Sequence, residues 1–111
     1  MQAGADNVEG YIMIKKQFVK SRNVTKVTFE LPADLEADAV HLLADFNSWQ
    51  PVAFEKLKNG KWKLVQEVEP GGNYQFRYML DHKDHHHFMN DPEADRTVPN
   101  DQGTENAVID A

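Results

Sequence analysis

Hydrophobic residues along this chain recur with a period of two far more often than with the helical period, which predicts strands. Asn73 to Leu80 shows it most cleanly: Tyr74, Phe76, Tyr78 and Leu80 alternate with Asn73, Gln75, Arg77 and Met79. The first set faces a core, which leaves Arg77 pointing outward. Val24 to Leu31 puts Val27 and Phe29 on one face, and Pro32 ends it. Lys61 to Glu69 puts Trp62, Leu64 and Val68 on one side against Lys61, Lys63 and Glu67, making Trp62 a core residue. Ala39 to Ala44 is a short apolar run of the length expected for a buried strand.

Weaker segments complete the pattern. Gln17 to Lys20 and Val52 to Lys58 read as short extended pieces, His85 to Met89 as another, and Glu105 to Ile109 as a last strand. Between them stand turn residues: Ser21-Arg22-Asn23, Pro70-Gly71-Gly72, Asp81 to Asp84, and Asn59-Gly60, the strongest hairpin signal because both residues tolerate positive φ. Ala33 to Ala37 is too short to hold a helix and reads as loop. Asp91 to Gly103, with Pro92 and Pro99, reads as a long polar loop. Seven or eight short strands joined in this way predict an all-β fold, an immunoglobulin-like antiparallel β-sandwich. Residues 1–12 are polar, small and aperiodic and are expected to form a disordered leader, with the sandwich over 13–111.

A length of 111 residues allows one domain and one modest core. The net charge of −6, with Lys and Arg scattered among acids, lacks the basic stripe that tracks phosphates. Nucleic acid and membrane surfaces are therefore not expected as partners. There is no cysteine, so neither a disulfide framework nor a thiolate nucleophile is available. No apolar run reaches transmembrane length and no secretory leader is visible, so cytoplasmic residence is the expectation.

Catalytic patterns are missing. No carboxylate sits in an apolar context that would tune it, and neither Ser21 nor Ser48 lies in a nucleophile elbow. The chain is expected to be no enzyme and to need no cofactor. His85-His86-His87 invites a metal, but neighbours on a strand alternate sides. Only His85 and His87 converge, a third ligand would have to come from His82, Asp84 or Asp91, and zinc spacing is absent. No metal site is therefore assigned.

Trp49 is the unusual residue. It stands in a polar turn, Asp45-Phe46-Asn47-Ser48-Trp49-Gln50-Pro51, where folding alone does not ask for an indole. Together with Arg77, Phe88 and Asn106 it supplies flat aromatic surface and polar groups. That combination suits a sugar ring, whose apolar C–H face is ringed by hydroxyls. The same residues read equally as satellite core rings at Trp49 and Phe88, a solvated face residue at Arg77 and the polar start of a strand at Asn106.

The order of four loose motifs, F-N-x-W at Phe46 to Trp49, P-x-G-x-Y-x-F-[KR]-[FY] at Pro70 to Tyr78, an aromatic before N-D-P at Phe88, and G-T-x-N at Gly103 to Asn106, resembles the family-48 carbohydrate-binding modules. These include the glycogen-binding domain of the AMP-activated protein kinase β subunit and the N-terminal domains of isoamylases and branching enzymes. The similarity runs from about Thr25 to Asp110.

The resemblance implies non-catalytic binding of α-1,4-linked glucan, glycogen or starch-like, or of maltooligosaccharides. It implies that Trp49 and Phe88 stack on glucose units while Arg77, Thr104 and Asn106 bond hydroxyls. Phe88 stands where those members carry a second tryptophan, and Gln102 where they carry an apolar residue that reaches into the glucan. A glycogen-metabolising enzyme is the protein partner the resemblance suggests. The alternative is a protein-interaction or regulatory module of the same fold without sugar binding.

Overall fold

The computed structural model describes residues 13–35, 37–100 and 103–111. The expected leader over 1–12 and the candidate residue Gln102 lie outside the described residues. Ten strands are present among them: β1 Met13–Val19, β2 Val24–Leu31, β3 Ala39–Ala44, β4 Val52–Ala53, β5 Glu55–Lys56, β6 Trp62–Val68, β7 Asn73–His82, β8 His85–Met89, β9 Arg96–Pro99 and β10 Glu105–Asp110. They form two antiparallel sheets, one in the order β1-β2-β6-β5 and one in the order β4-β3-β7-β10-β9, with β8 also paired to β7.

The architecture is the expected antiparallel sandwich, with four local differences. Val52 to Lys58 is not one strand but two dyads, β4 and β5, on different sheets, because Phe54 between them turns inward and is buried. The polar loop predicted over Asp91 to Gly103 contains β9, which pairs with β10 although Arg96 and Thr97 are exposed. An edge strand exposed in this way carries no hydrophobic alternation to announce it. The turn predicted over Asp81 to Asp84 shrinks to Lys83-Asp84, both with positive φ, because β7 runs on to His82. Strand β1 begins at Met13, ahead of the predicted Gln17, pairing along its whole length with β2.

The core lies between the sheets. Val27, Phe29 and Leu31 of β2 meet Val40 and Leu42 of β3, Phe76 and Tyr78 of β7 and Ile109 of β10, with Trp62 as expected among them. Phe29 packs edge-on against Phe54, Phe76 and Tyr78, with centroids 5.4–6.5 Å apart, the geometry aromatic quadrupoles favour. The Tyr78 hydroxyl donates to Asp91 Oδ2, and the Glu93 amide donates to Asp91 Oδ1. The segment after β8 is thus tied into the core. Lys16 of β1 reaches across the open side to Asp95 at 2.7 Å and to the Asp110 carbonyl, linking one sheet to the other.

Strand β7 organises the second sheet. One edge pairs with β3 from Phe76 to Asp81. The opposite edge is shared: β10 pairs with Asn73 to Phe76, and β8 pairs with Tyr78 to His82.

Candidate binding groove

Alternation along β7 sends Arg77, Met79 and Asp81 to the outer face of this sheet while Phe76, Tyr78 and Leu80 go to the core. Directly opposed residues share a face. Leu43 lies beside Arg77, then His41 and Phe88 flank Met79, then Ala39 and His86 flank Asp81.

The turn after β3 brings Trp49 to the end of this face. Asp45–Asn47 form one turn of 3-10 helix. Asn47 Oδ1 accepts from the Ala44 amide at 3.1 Å, and the Trp49 amide donates to the Ala44 carbonyl at 2.8 Å. Phe46 anchors the turn on Tyr74, with ring centroids 5.6 Å apart. Ser48 and Trp49 both have φ of 60°, a left-handed conformation that is uncommon in succession and unfavourable for a bulky residue. Strain of this kind, held by a well-bonded turn, is characteristic of functional positions. Its outcome here is an indole that is 39% exposed, whereas Trp62 is 5% exposed.

A groove of about 620 Å³ is lined by Leu43, Trp49, Arg77, Phe88, Asn100, Thr104 and Asn106. Five of the six predicted sugar-binding residues therefore meet on one surface, and the sixth, Gln102, is outside the described residues. Phe88 is 52% exposed, and the Arg77 guanidinium lies over its ring, 4.9 Å from the centroid. Cation–π attraction thus holds the arginine head in place. The Arg77 Nε is buried without a hydrogen-bond partner, and among the described residues no acid lines the groove.

Polar side chains cross the groove in a connected chain. Asn106 Nδ2 donates to Gln75 Oε1 at 3.0 Å, Asn100 Nδ2 donates to Asn106 Oδ1 at 3.1 Å, and Asn100 Oδ1 accepts from the Thr104 amide at 3.2 Å and the Thr104 hydroxyl at 3.0 Å. Asn106 is buried at 8% exposure and both ends of its amide are used within the protein. Its position brings it to the groove, while its bonds make it a brace for Asn100. Thr104, exposed, faces solvent from the same loop.

Sequence reasoning missed two lining residues. Leu43 was hidden in the apolar run Ala39 to Ala44, where periodicity gives no face; the register Leu43 opposite Arg77 supplies it. Asn100 was hidden in the polar loop, although an asparagine after a proline and before a Gly-Thr pair is turn chemistry that could have marked it.

The His run does not gather ligands. His85 and His87 lie on the other side of β8 from His86, with ring centroids 6.5 Å apart. Among the described residues no group of three His, Cys, Asp or Glu is arranged to hold a metal ion.

A β-sandwich with an aromatic-lined groove on the outer face of one sheet is the class this geometry defines. No family model matches the sequence, and no curated protein matches it. Solved structures do share the fold. The chain is similar to part of the multi-modular glycogen-degrading pneumococcal virulence factor SpuA, with a TM-score of 0.61 at 19% identity over 96% of this chain and 13% of that one. A pullulanase from Paenibacillus barengoltzii, solved with maltotriose, matches with a TM-score of 0.58 at 20% identity over 99% of this chain and 17% of that one. A pullulanase from Bacillus acidopullulyticus matches with a TM-score of 0.56 at 19% identity over 90% and 11%. The chain thus spans less than a fifth of the length of these enzymes.

Proposed function

We propose that this chain is a non-catalytic α-glucan-binding module of the family-48 type, taking glycogen, starch-like polysaccharide or maltooligosaccharides in the groove. The observation that carries the reading is the strained, exposed Trp49 sharing one groove with Phe88, Arg77 and Thr104. The indole supplies a flat surface for the C–H face of a glucose ring. Arg77 supplies donors for its hydroxyls, the Thr104 oxygen an acceptor, and the Asn106 to Asn100 brace keeps the Thr104 loop in position before ligand arrives. Such preorganisation lowers the ordering cost of binding.

Phe88 plays a double part. One side of its ring steadies Arg77, and its exposed surface extends the apolar platform. A shallow, open site with one indole and one phenyl ring should give dissociation constants nearer millimolar than nanomolar, since each stacking contact adds on the order of 1 kcal/mol beyond area burial.

Electrophoresis in a native gel containing glycogen tests the reading. The unmodified chain lags relative to a gel without glycogen, and Trp49→Ala migrates equally in both. Equal migration of the unmodified chain in the two gels refutes it. A protein-docking role for the same face predicts no amide shifts around Trp49 on titration with maltoheptaose, so the NMR titration separates the two.

A further inference from the structure

Beyond the groove, the outer face of the second sheet carries a cluster that the reading above leaves unused. Asp81 of β7 sits between His41 of β3 and His86 of β8. His86 Nδ1 bonds Asp81 Oδ1, and His41 Nδ1 lies 3.5 Å from Asp81 Oδ2. The cluster is accessible: the Asp81 side chain is 27% exposed and that of His86 63%.

Its placement follows from register. Phe88 is opposite Met79 and His86 is opposite Asp81 on the same face, so the cluster begins one step of the strand beyond the phenyl ring, about 6.7 Å away. The surface from Trp49 past Arg77 and Phe88 therefore runs directly onto an acid flanked by two imidazoles.

We propose that Asp81, with His41 and His86, forms a second subsite that takes the vicinal hydroxyls of a sugar unit further along a glucan held in the groove. This inference rests on the α-glucan reading. A carboxylate has about four lone-pair positions, of which the two imidazoles use at most one each, leaving acceptors for a pair of hydroxyl donors. Each imidazole has a second ring nitrogen beyond the one facing Asp81. A flexible polymer repeats the same hydroxyl pair at every unit, so a ligand long enough to pass Phe88 meets this cluster with matched donors. The bond from His86 on β8 orients the carboxylate, and His41 on β3 stands on its other side with Nδ1 buried and without a hydrogen-bond partner. Phe88 provides the apolar surface between the two polar regions, so the pattern of flat ring and fixed polar groups repeats.

The test compares a short and a long ligand by calorimetry on the whole chain: maltotriose, which fills only the groove, and maltoheptaose, which reaches past Phe88. The unmodified chain binds maltoheptaose more tightly per site. In His86→Ala and Asp81→Ala, maltoheptaose affinity falls roughly three- to tenfold, the value of one or two net hydrogen bonds, while maltotriose affinity changes by less than about twofold. In NMR titrations the amides of His41, Asp81 and His86 shift with maltoheptaose and not with maltotriose.

Equal weakening for both sugars would mean that the cluster acts only by positioning Phe88, and overturns the subsite. So does unchanged binding in both variants, or an unmodified chain that binds the two sugars equally per site; in each case the groove reading stands. Failure of the unmodified chain to bind either sugar overturns the groove and the subsite together. His86→Ala alters an exposed side chain, so a folding failure of Asp81→Ala leaves the comparison intact.

Discussion

The Arg77 guanidinium lies over the ring of Phe88, 4.9 Å from its centroid, although the residue directly opposite Phe88 is Met79. The contact is diagonal across two strands, within reach of a long side chain on a pleated surface. It couples the cation of the groove to one of the rings that line it, so neither is independent of the other.

Replacing Phe88 should therefore do more than remove stacking area. Phe88→Ala loses the ring and frees Arg77, and maltoheptaose affinity should fall about five- to thirtyfold, corresponding to roughly 1–2 kcal/mol of combined stacking and cation–π attraction. Phe88→Trp enlarges the platform and strengthens the cation–π contact, so affinity should rise a few-fold. Calorimetry on the two variants checks both directions.

Asn106 has a different role and a different signature. Its amide is satisfied at both ends by Gln75 and Asn100 and is buried, so Asn106→Ala strands partners on either side. Stability should drop by about 1–3 kcal/mol, the cost of unpaired buried polar groups. Thr104→Val alters an exposed residue and should change stability by less than about 1 kcal/mol while still weakening glucan binding. Thermal melts together with sugar titration separate the brace from the ligand contact.

The buried Tyr78–Asp91 pair predicts a pH dependence. Burial pushes the Asp91 carboxyl above its ordinary value, partly offset by the bonds from the Tyr78 hydroxyl and the Glu93 amide. Burial also pushes the Tyr78 phenol up, with the Asp91 charge adding to it, so it stays a donor. A carboxyl raised in the folded state favours folding when protonated, and that contribution is lost as pH rises through the raised value. Tyr78→Phe removes the bond that moderates the loss. The variant should be less stable than the unmodified chain near pH 7 by about 1–3 kcal/mol, and the gap should narrow as pH falls through the raised Asp91 value. Denaturant unfolding at several pH values measures it.

How much of this was legible beforehand depended on what each residue had to bury. Tyr74, Phe76, Tyr78 and Leu80 alternate without interruption, and the strand and its faces follow. Trp62 and Trp49 could be told apart because one stands in an alternating strand and the other among turn residues. Strand β9 was not legible, because Arg96 and Thr97 are exposed and its ladder is made by backbone groups that every residue possesses. The joint use of Asn106 by Gln75 and Asn100 was illegible for a related reason. Register between β7 and β10 decides it, and no pattern within either segment encodes that register. The placement of His86 beside Asp81, and of His85 and His87 on the other side, likewise depended on pairing between β7 and β8.

The exchange of neighbours along β7 has a consequence for how a depression arises on a surface that sheets tend to keep flat. The ladder with β10 ends at Phe76 and the ladder with β8 begins at Tyr78, so position 77 has no cross-strand companion on that edge. Where an uninterrupted sheet would set a side chain shoulder to shoulder with Arg77, the break between two successive ladders leaves a notch lined by Phe88 and Asn106. An insertion or deletion that let either ladder zip through that point would fill the notch without touching a single residue inside it.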